Sequence, residues 1–190
     1  MSTFLIADLH FGHESIIRLC NRPFADVDEM NRAMRDGWNA VVKKDDDVIV
    51  VGDFAHRMAP DKLRALFDDL RGRKHLIIGN HDDQNTLELP WSSPPRDVAY
   101  MSIDRTRVVL CHYAWLSWPG IRKGALMLFG HHHGRLPGNQ QSMDIGVDVM
   151  GFAPVRLNQI KARLAVLPPL ADPEAAGGDD LDNDNGGLTL

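Results

Sequence analysis

Apolar positions follow two rhythms along this chain. Residues 3–7 form a short apolar run that stops at Asp8, the pattern of a buried first strand. Over residues 26–42 the spacing changes. Val27, Met30, Met34, Trp38 and Val41 recur every three or four positions, which predicts a helix, and Asp26 with Glu29 resembles a capping box at its start. A polar turn at 43–47 leads into Val48-Ile49-Val50-Val51, a β-branched buried strand ending at Gly52-Asp53. Pro60 opens a second helix with a stripe of Leu63, Leu66, Phe67 and Leu70, and Gly72 stops it. Residues 75–78 read as another strand, ending at Gly79-Asn80. Beyond Pro94-Pro95, residues 98–103, 107–111, 125–129 and 143–149 all read as strands, and Leu157, Ile160 and Leu164 mark a last short helix. Alternating strands and helices followed by mostly strands predict an α/β layered fold.

Composition narrows the picture. The chain has 190 residues, 44% hydrophobic and 25% charged, enough for one domain with a sizeable core. That domain is expected at 1–168. Past Pro168-Pro169 the large apolar residues give way to Ala, Gly, Asp and Asn, so 169–190 is expected to be a disordered acidic tail. No apolar run approaches the roughly 20 residues that span a bilayer, and the N-terminus lacks a basic start and long apolar stretch, so a cytoplasmic protein without membrane partners is expected. Cys20 and Cys111 are expected reduced. The charge of -5 comes from 26 acidic and 21 basic residues, but six of the acids lie in the last twenty positions. Setting those six aside leaves 20 acids, a nearly neutral body, which disfavours extended nucleic acid as a partner.

The informative feature is where metal-type side chains fall. Asp8 and His10 follow the first strand, Asp53 the second and Asn80-His81-Asp82 the third; His112 follows the strand at 107–111, and His131 and His133 follow the strand at 125–129. Ligands in open α/β sheets gather beyond the carboxyl ends of strands. Carboxylate and imidazole suit manganese, iron or zinc. Seven side chains (Asp8, His10, Asp53, Asn80, His112, His131 and His133) are too many for one tetrahedral ion but suit two ions sharing a carboxylate, for which Asp53 is the natural bridge. Paired ions about 3.5–4 Å apart stabilise both the attacking and the leaving oxygen of an in-line displacement, the chemistry of phosphoryl groups.

These blocks, Asp8-Leu9-His10, Gly52-Asp53, Gly79-Asn80-His81-Asp82, His112 and Gly130-His131-His132-His133, resemble the signature of the calcineurin-like metallophosphoesterases, in the family order. The resemblance implies two mixed β-sheets packed as a sandwich and flanked by helices. It places Asp8, His10, Asp53 and His133 on a first metal, and Asp53, Asn80, His112 and His131 on a second. His81 matches the histidine that contacts phosphate and protonates the leaving group, with Asn80 also on the substrate. Phe11-Gly12-His13, Asn21-Arg22-Pro23-Phe24 and Gly146-Val147-Asp148-Val149 look like a small bacterial-type branch of phosphoesterases. The expected function is hydrolysis of a small phosphomonoester or phosphodiester, nucleotides included, with two divalent ions, manganese foremost and iron or zinc as alternatives. A nuclease acting on nucleic-acid ends and a catalytically silent scaffold are the competing readings.

Several residues carry plainer alternatives. Asp8 and His10 would serve as caps for a helix beginning near Ser15 were they an isolated pair. If the strand conformation persisted, His131 and His133 would share a face and His132 would oppose them. His13 and His56 are candidates for the pocket wall, Asp82 for orienting His81, and His75 for a structural role. Trp115 and Trp118 are expected to pack rather than stack on a substrate. Arg22 and Arg57 suit phosphate by their forked donors, with surface ion pairing as the default.

Overall fold

A computed structural model describes residues 1–171. Its first half is built from β1 (Thr3–Ile6), α1 (Glu14–Leu19), α2 (Val27–Val41), β2 (Asp47–Val51), α3 (Pro60–Asp69), β3 (Arg73–Ile77) and α4 (Gln84–Leu87). The second half carries β4 (Val98–Ile103), β5 (Thr106–Cys111), β6 (Leu126–Phe129), β7 (Ser142–Asp144), α5 (Val147–Met150), β8 (Val155–Arg156) and α6 (Leu157–Leu164). The expected tail at 169–190 lies almost wholly outside the described residues. Among those described, no helix is long and apolar enough to cross a membrane.

The strands form two mixed four-stranded sheets, ordered β3-β2-β1-β8 and β4-β5-β6-β7. β1, β2 and β3 run parallel, with β8 antiparallel to β1. β5, β6 and β7 also run parallel, with β4 antiparallel to β5. The central strands β1, β2 and β6 are apolar almost without a break because both of their faces are covered. Leu5, Ile49 and Val51 face Val108, Leu110 and Leu128 in the core between the sheets, which α6 closes with Leu157, Ile160 and Leu164. Their neighbours Phe4, Ile6, Val48 and Val50 point outward and pack with Met30, Met34 and Trp38 of α2 and Leu63 and Phe67 of α3. On the second sheet Val109, Cys111, Met127 and Phe129 are covered by Trp118, whose Nε1 donates to the Ala125 carbonyl. Both cysteines are free.

The α2 start works as its sequence suggests, with one shift. Asp26 Oδ1 accepts the Glu29 amide at 2.7 Å, but the Glu29 carboxylate takes the Ala25 amide, one residue before the N-cap. A larger departure lies at 143–149. The strand stops at Asp144 because the chain changes sheets there: the Ile145 amide bonds to Phe129 in the second sheet, and the Val147 amide to Ala7 in the first. Once across, residues 147–150 coil into α5 instead of extending.

Candidate metal centre

All the parallel strands of both sheets end at one edge, and the loops beyond them run side by side. Past β1, the amides of Asp8, His10 and Phe11 bond to the carbonyls of Gly52, Asp53 and Phe54 past β2 at 2.9–3.1 Å. Asp8, His10, Asp53, His131 and His133 all hold left-handed backbone, with φ between 50° and 70°. Such conformations cost an L residue about 1–3 kcal/mol each and persist where the surroundings enforce them. Here the enforcement comes from packing. A Cβ on Gly52 would strike the His112 ring, and one on Gly79 would strike the Asp53 carboxylate.

Two groups of electron-pair donors result at the strand ends, each with ligand atoms within 4.8 Å of one another: Asp8, His10 and His133 in one, and Asp53, His112 and His131 in the other; a third such group among the described residues, Cys20, His133 and Asp148, shares His133 with the first. Asp53 lies between them, its Oδ2 being 3.4 Å from His10 Nε2 and 3.4 Å from His112 Nε2. The Asn80 side-chain oxygen sits 3.1 Å from His112 Nε2 and 2.9 Å from His131 Nδ1. All seven side chains singled out in the sequence therefore converge. His81 is at their rim, with its amide on Asp53 Oδ1 at 2.8 Å and its ring 5.1 Å from that of His10.

The electrostatics are those of a cation site. His10 is 1% exposed, yet neither ring nitrogen has a hydrogen-bond partner. Orphaned buried polar atoms are costly, and a cation would satisfy them. Burial presses its pKa down to about 2, so a neutral imidazole faces the Asp53 carboxylate. Burial also raises Asp8 to about 7, against the pull of His112. For Asp53 burial again favours the neutral acid, but the hydrogen bond and charge of His112, with the His81 amide, outweigh it, to about 2. His112 is the converse case: burial opposes its charge, and Asp53, Asp8 and the Val51 carbonyl lift it to about 9. Carboxylates and imidazoles packed this closely, with lone pairs turned toward one another, fit divalent transition ions.

This geometry decides among the readings the sequence left for individual residues, and corrects some of them. Asp8 is not the helix cap that an isolated pair would suggest; it accepts the His131 amide, and the N-cap of α1 is His13, without a side-chain cap bond. His131 and His133 are presented by a turn of left-handed residues and not by an extended strand. His132 packs edge-on against Phe129. Asp82 points away from the His81 ring and accepts the amides of Asp53, Phe54 and Gly79 at 2.8–3.0 Å, tying two metal loops together; burial raises its carboxyl to about 6 although the three amides pull the other way. Arg22 is buried, 4% exposed, and bonds to Asp148 and to backbone carbonyls, so it is neither a surface pair nor a phosphate ligand. His75 lies at the opposite edge between Asp47 and Ser93, in a structural setting.

The sequence reading also passed over Asp144 and Asp148. Asp144 is 3% exposed and accepts the amides of Gly134 and Gly146 at 2.8 and 2.7 Å, shaping the turn behind His133. The signal for Asp148 was present in Gly146-Val147-Asp148-Val149, but a strand assignment hid it. Beside the metal-type residues, His13 and His56 stack at 4.1 Å between ring centres, and His56 lies 5.0 Å from His81. Burial, followed by the charge of His56, lowers His13 to about 4. A cleft of about 390 Å³ opens here, bounded by His13, Ile16, Leu19 and Arg135 as well as the donor groups.

Comparison with known proteins agrees with this architecture. An uncharacterised protein of Methanocaldococcus jannaschii is 31% identical over 165 residues, covering 83% of this chain and 88% of the relative. The gene 66 protein of Mycobacterium phage D29 is 26% identical over 182 residues, covering 77% and 88% respectively. Among solved structures, a protein of unknown function from Aquifex aeolicus shares the fold with a TM-score of 0.66 at 21% identity, covering 85% of this chain and 98% of its own. The family model for calcineurin-like phosphoesterases matches residues 1–158. That span takes in both sheets and every side chain at the cleft edge, and the chain belongs to the calcineurin-like phosphoesterase family.

Proposed function

We propose that the protein hydrolyses a small phosphate monoester or diester, nucleotides included, at a centre of two divalent ions, with manganese the first candidate. The observation that carries this reading is Asp53. Its carboxylate lies equally close to one histidine of each donor group, as a bridging ligand must. Asp8, His10 and His133 would hold the first ion, Asn80, His112 and His131 the second, with Asp53 on both. Bound ions would supply charge stabilisation to the reacting phosphoryl group and acidify water.

The chain's own residues do the rest. Asn80 and His81, at the open rim of the cleft, contact the phosphoryl oxygens. His81 delivers a proton to the leaving oxygen; the bond from its backbone amide to Asp53 anchors the residue at the edge where that oxygen departs. His13 and His56 wall the same side, and the low pKa of His13 keeps that ring neutral near pH 7. The cleft volume falls in the range of small-ligand sites, and the nearly neutral body disfavours extended nucleic acid. A substrate of this kind suits a cytoplasmic setting.

Metal analysis combined with a phosphate-ester panel tests the proposal. Manganese-loaded protein is expected to hold two ions and to cleave bis-p-nitrophenyl phosphate or a nucleotide. Asp53→Ala is expected to lose both ions, and His131→Ala and His133→Ala to weaken one site each. A single ion under saturating manganese, or a fully loaded protein inert across the panel, overturns it.

A further inference from the structure

Two stretches that the metal ligands leave unexplained, around Arg22 and around Asp148, meet beneath the cleft although 126 positions separate them. Arg22 Nε and Nη2 donate to the two oxygens of Asp148, both at 2.9 Å, a parallel two-bond pairing. The same guanidinium donates from Nη2 to the Asp8 carbonyl at 2.7 Å and from Nη1 to the Leu9 carbonyl at 2.9 Å. Asp148 Oδ2 in turn lies 2.7 Å from His133 Nδ1. The Arg22 side chain is fully buried, and those of Asp148 and His133 are 8% and 11% exposed. One charged unit thus grips the left-handed loop of Asp8 and His10 on one side and the ring of His133 on the other.

Burying such a pair is a poor route to stability, since desolvation offsets the attraction. Its geometry serves another purpose. With Nδ1 turned to a carboxylate that can only accept, His133 carries its proton there and keeps its lone pair on Nε2. Arg22 fills both Asp148 oxygens from the far side, so the carboxylate cannot swing away from the ring. Histidine ligands in metal sites are regularly oriented by such a carboxylate, whose removal weakens binding about 10–100-fold.

We propose that Asp148, locked by Arg22, is the positioning residue that fixes the His133 tautomer and ring orientation and so sets the affinity of the first metal site. This rests on the reading of His133 as a ligand of that site.

Calorimetric titration with Mn²⁺ tests it through binding alone, on wild type, Asp148→Asn, His133→Ala and the double variant. Asp148→Asn is expected to weaken the first site about 10–100-fold and to leave the second within about twofold. In the His133→Ala background the same change is expected to add nothing, because Asp148 acts through the ring. Equal weakening of both sites, or additive losses in the double variant, overturns the positioning role. If His133→Ala leaves manganese binding unchanged, the metal reading itself fails, a distinct outcome. Should Asp148→Asn not fold, nitrogen-15 NMR of zinc-loaded wild type decides: a proton on His133 Nδ1 is expected, and one on Nε2 overturns the proposal.

Discussion

At the scale of single residues, the cleft holds charge where burial disfavours it. Asp8 is the clearest case. Its carboxyl is raised to about 7 by burial in the metal-free protein, against about 3.9 in an unfolded chain. An acid with a raised folded-state pKa contributes stability that is complete below pH 4 and is lost as pH climbs through 7. Asp8→Asn removes that dependence and keeps an oxygen for the His131 amide. Metal-free Asp8→Asn is therefore expected to melt higher than wild type at pH 8 but not at pH 4, by up to about 4 kcal/mol at about 1.4 kcal/mol per pH unit between the two pKa values. Equal melting temperatures at pH 8 contradict this. His81 has the opposite character, a rim group outside both donor clusters. His81→Ala is expected to slow turnover about 10²–10⁴-fold with two ions still bound; a parallel loss of metal would reassign it as structural. The gathering of the seven donor residues was legible because each follows an apolar strand and shares its edge. Asp82 and Arg22 were not, because composition cannot tell which way a side chain turns, and both turn into the protein.

At the scale of elements, legibility followed burial. The strands at residues 3–7 and 48–51 were readable as unbroken apolar runs because helices cover one face and the second sheet the other. α2 was readable from its three-to-four spacing and its N-cap. The stretch at 143–149 misled because its apolar residues serve two sheets in succession, and only the tertiary path shows where extension stops. The short α4 and the two-residue β8 carry too little periodicity to be seen. The loops beyond β2 and β3 have tolerances that no pattern displays. The Gly79 backbone lies against Asp53, and an added Cβ would stand 2.5 Å from the Asp53 amide and 2.9 Å from Gly52 Cα. These are backbone atoms of consecutive residues in the loop beyond β2, which cannot yield as a flexible side chain would. Gly79→Ala is expected to cost about 1–3 kcal/mol by overpacking and, with Asp53 bridging two ions as proposed, to lose metal at both sites. Thermal melting and metal content check this together; an unchanged melting temperature with two ions bound would show that the loops adapt.

At the scale of the whole molecule, the donor groups are assembled across the sandwich. Asp8, His10 and Asp53 follow strands of the first sheet, whereas His112, His131 and His133 follow strands of the second. Each group draws from both, so an ion bound in either would fasten one sheet to the other at the edge where the loops are most strained. Binding to the native state alone stabilises it by about 2.7 kcal/mol at a free ion concentration 100 times the dissociation constant. Protons compete for the same lone pairs. In the metal-free protein His112 holds its proton up to about pH 9 and Asp8 up to about pH 7, and both must release it to coordinate. Raising the pH removes those competitors, so metal affinity rises from pH 6 through 9 and the manganese-induced gain in melting temperature widens over the same window. Calorimetry at pH 7 in two buffers of different ionisation enthalpy is expected to register net proton release on loading. A gain in melting temperature that is flat with pH, or binding without proton release, would mean that the cations do not take the places these protons hold.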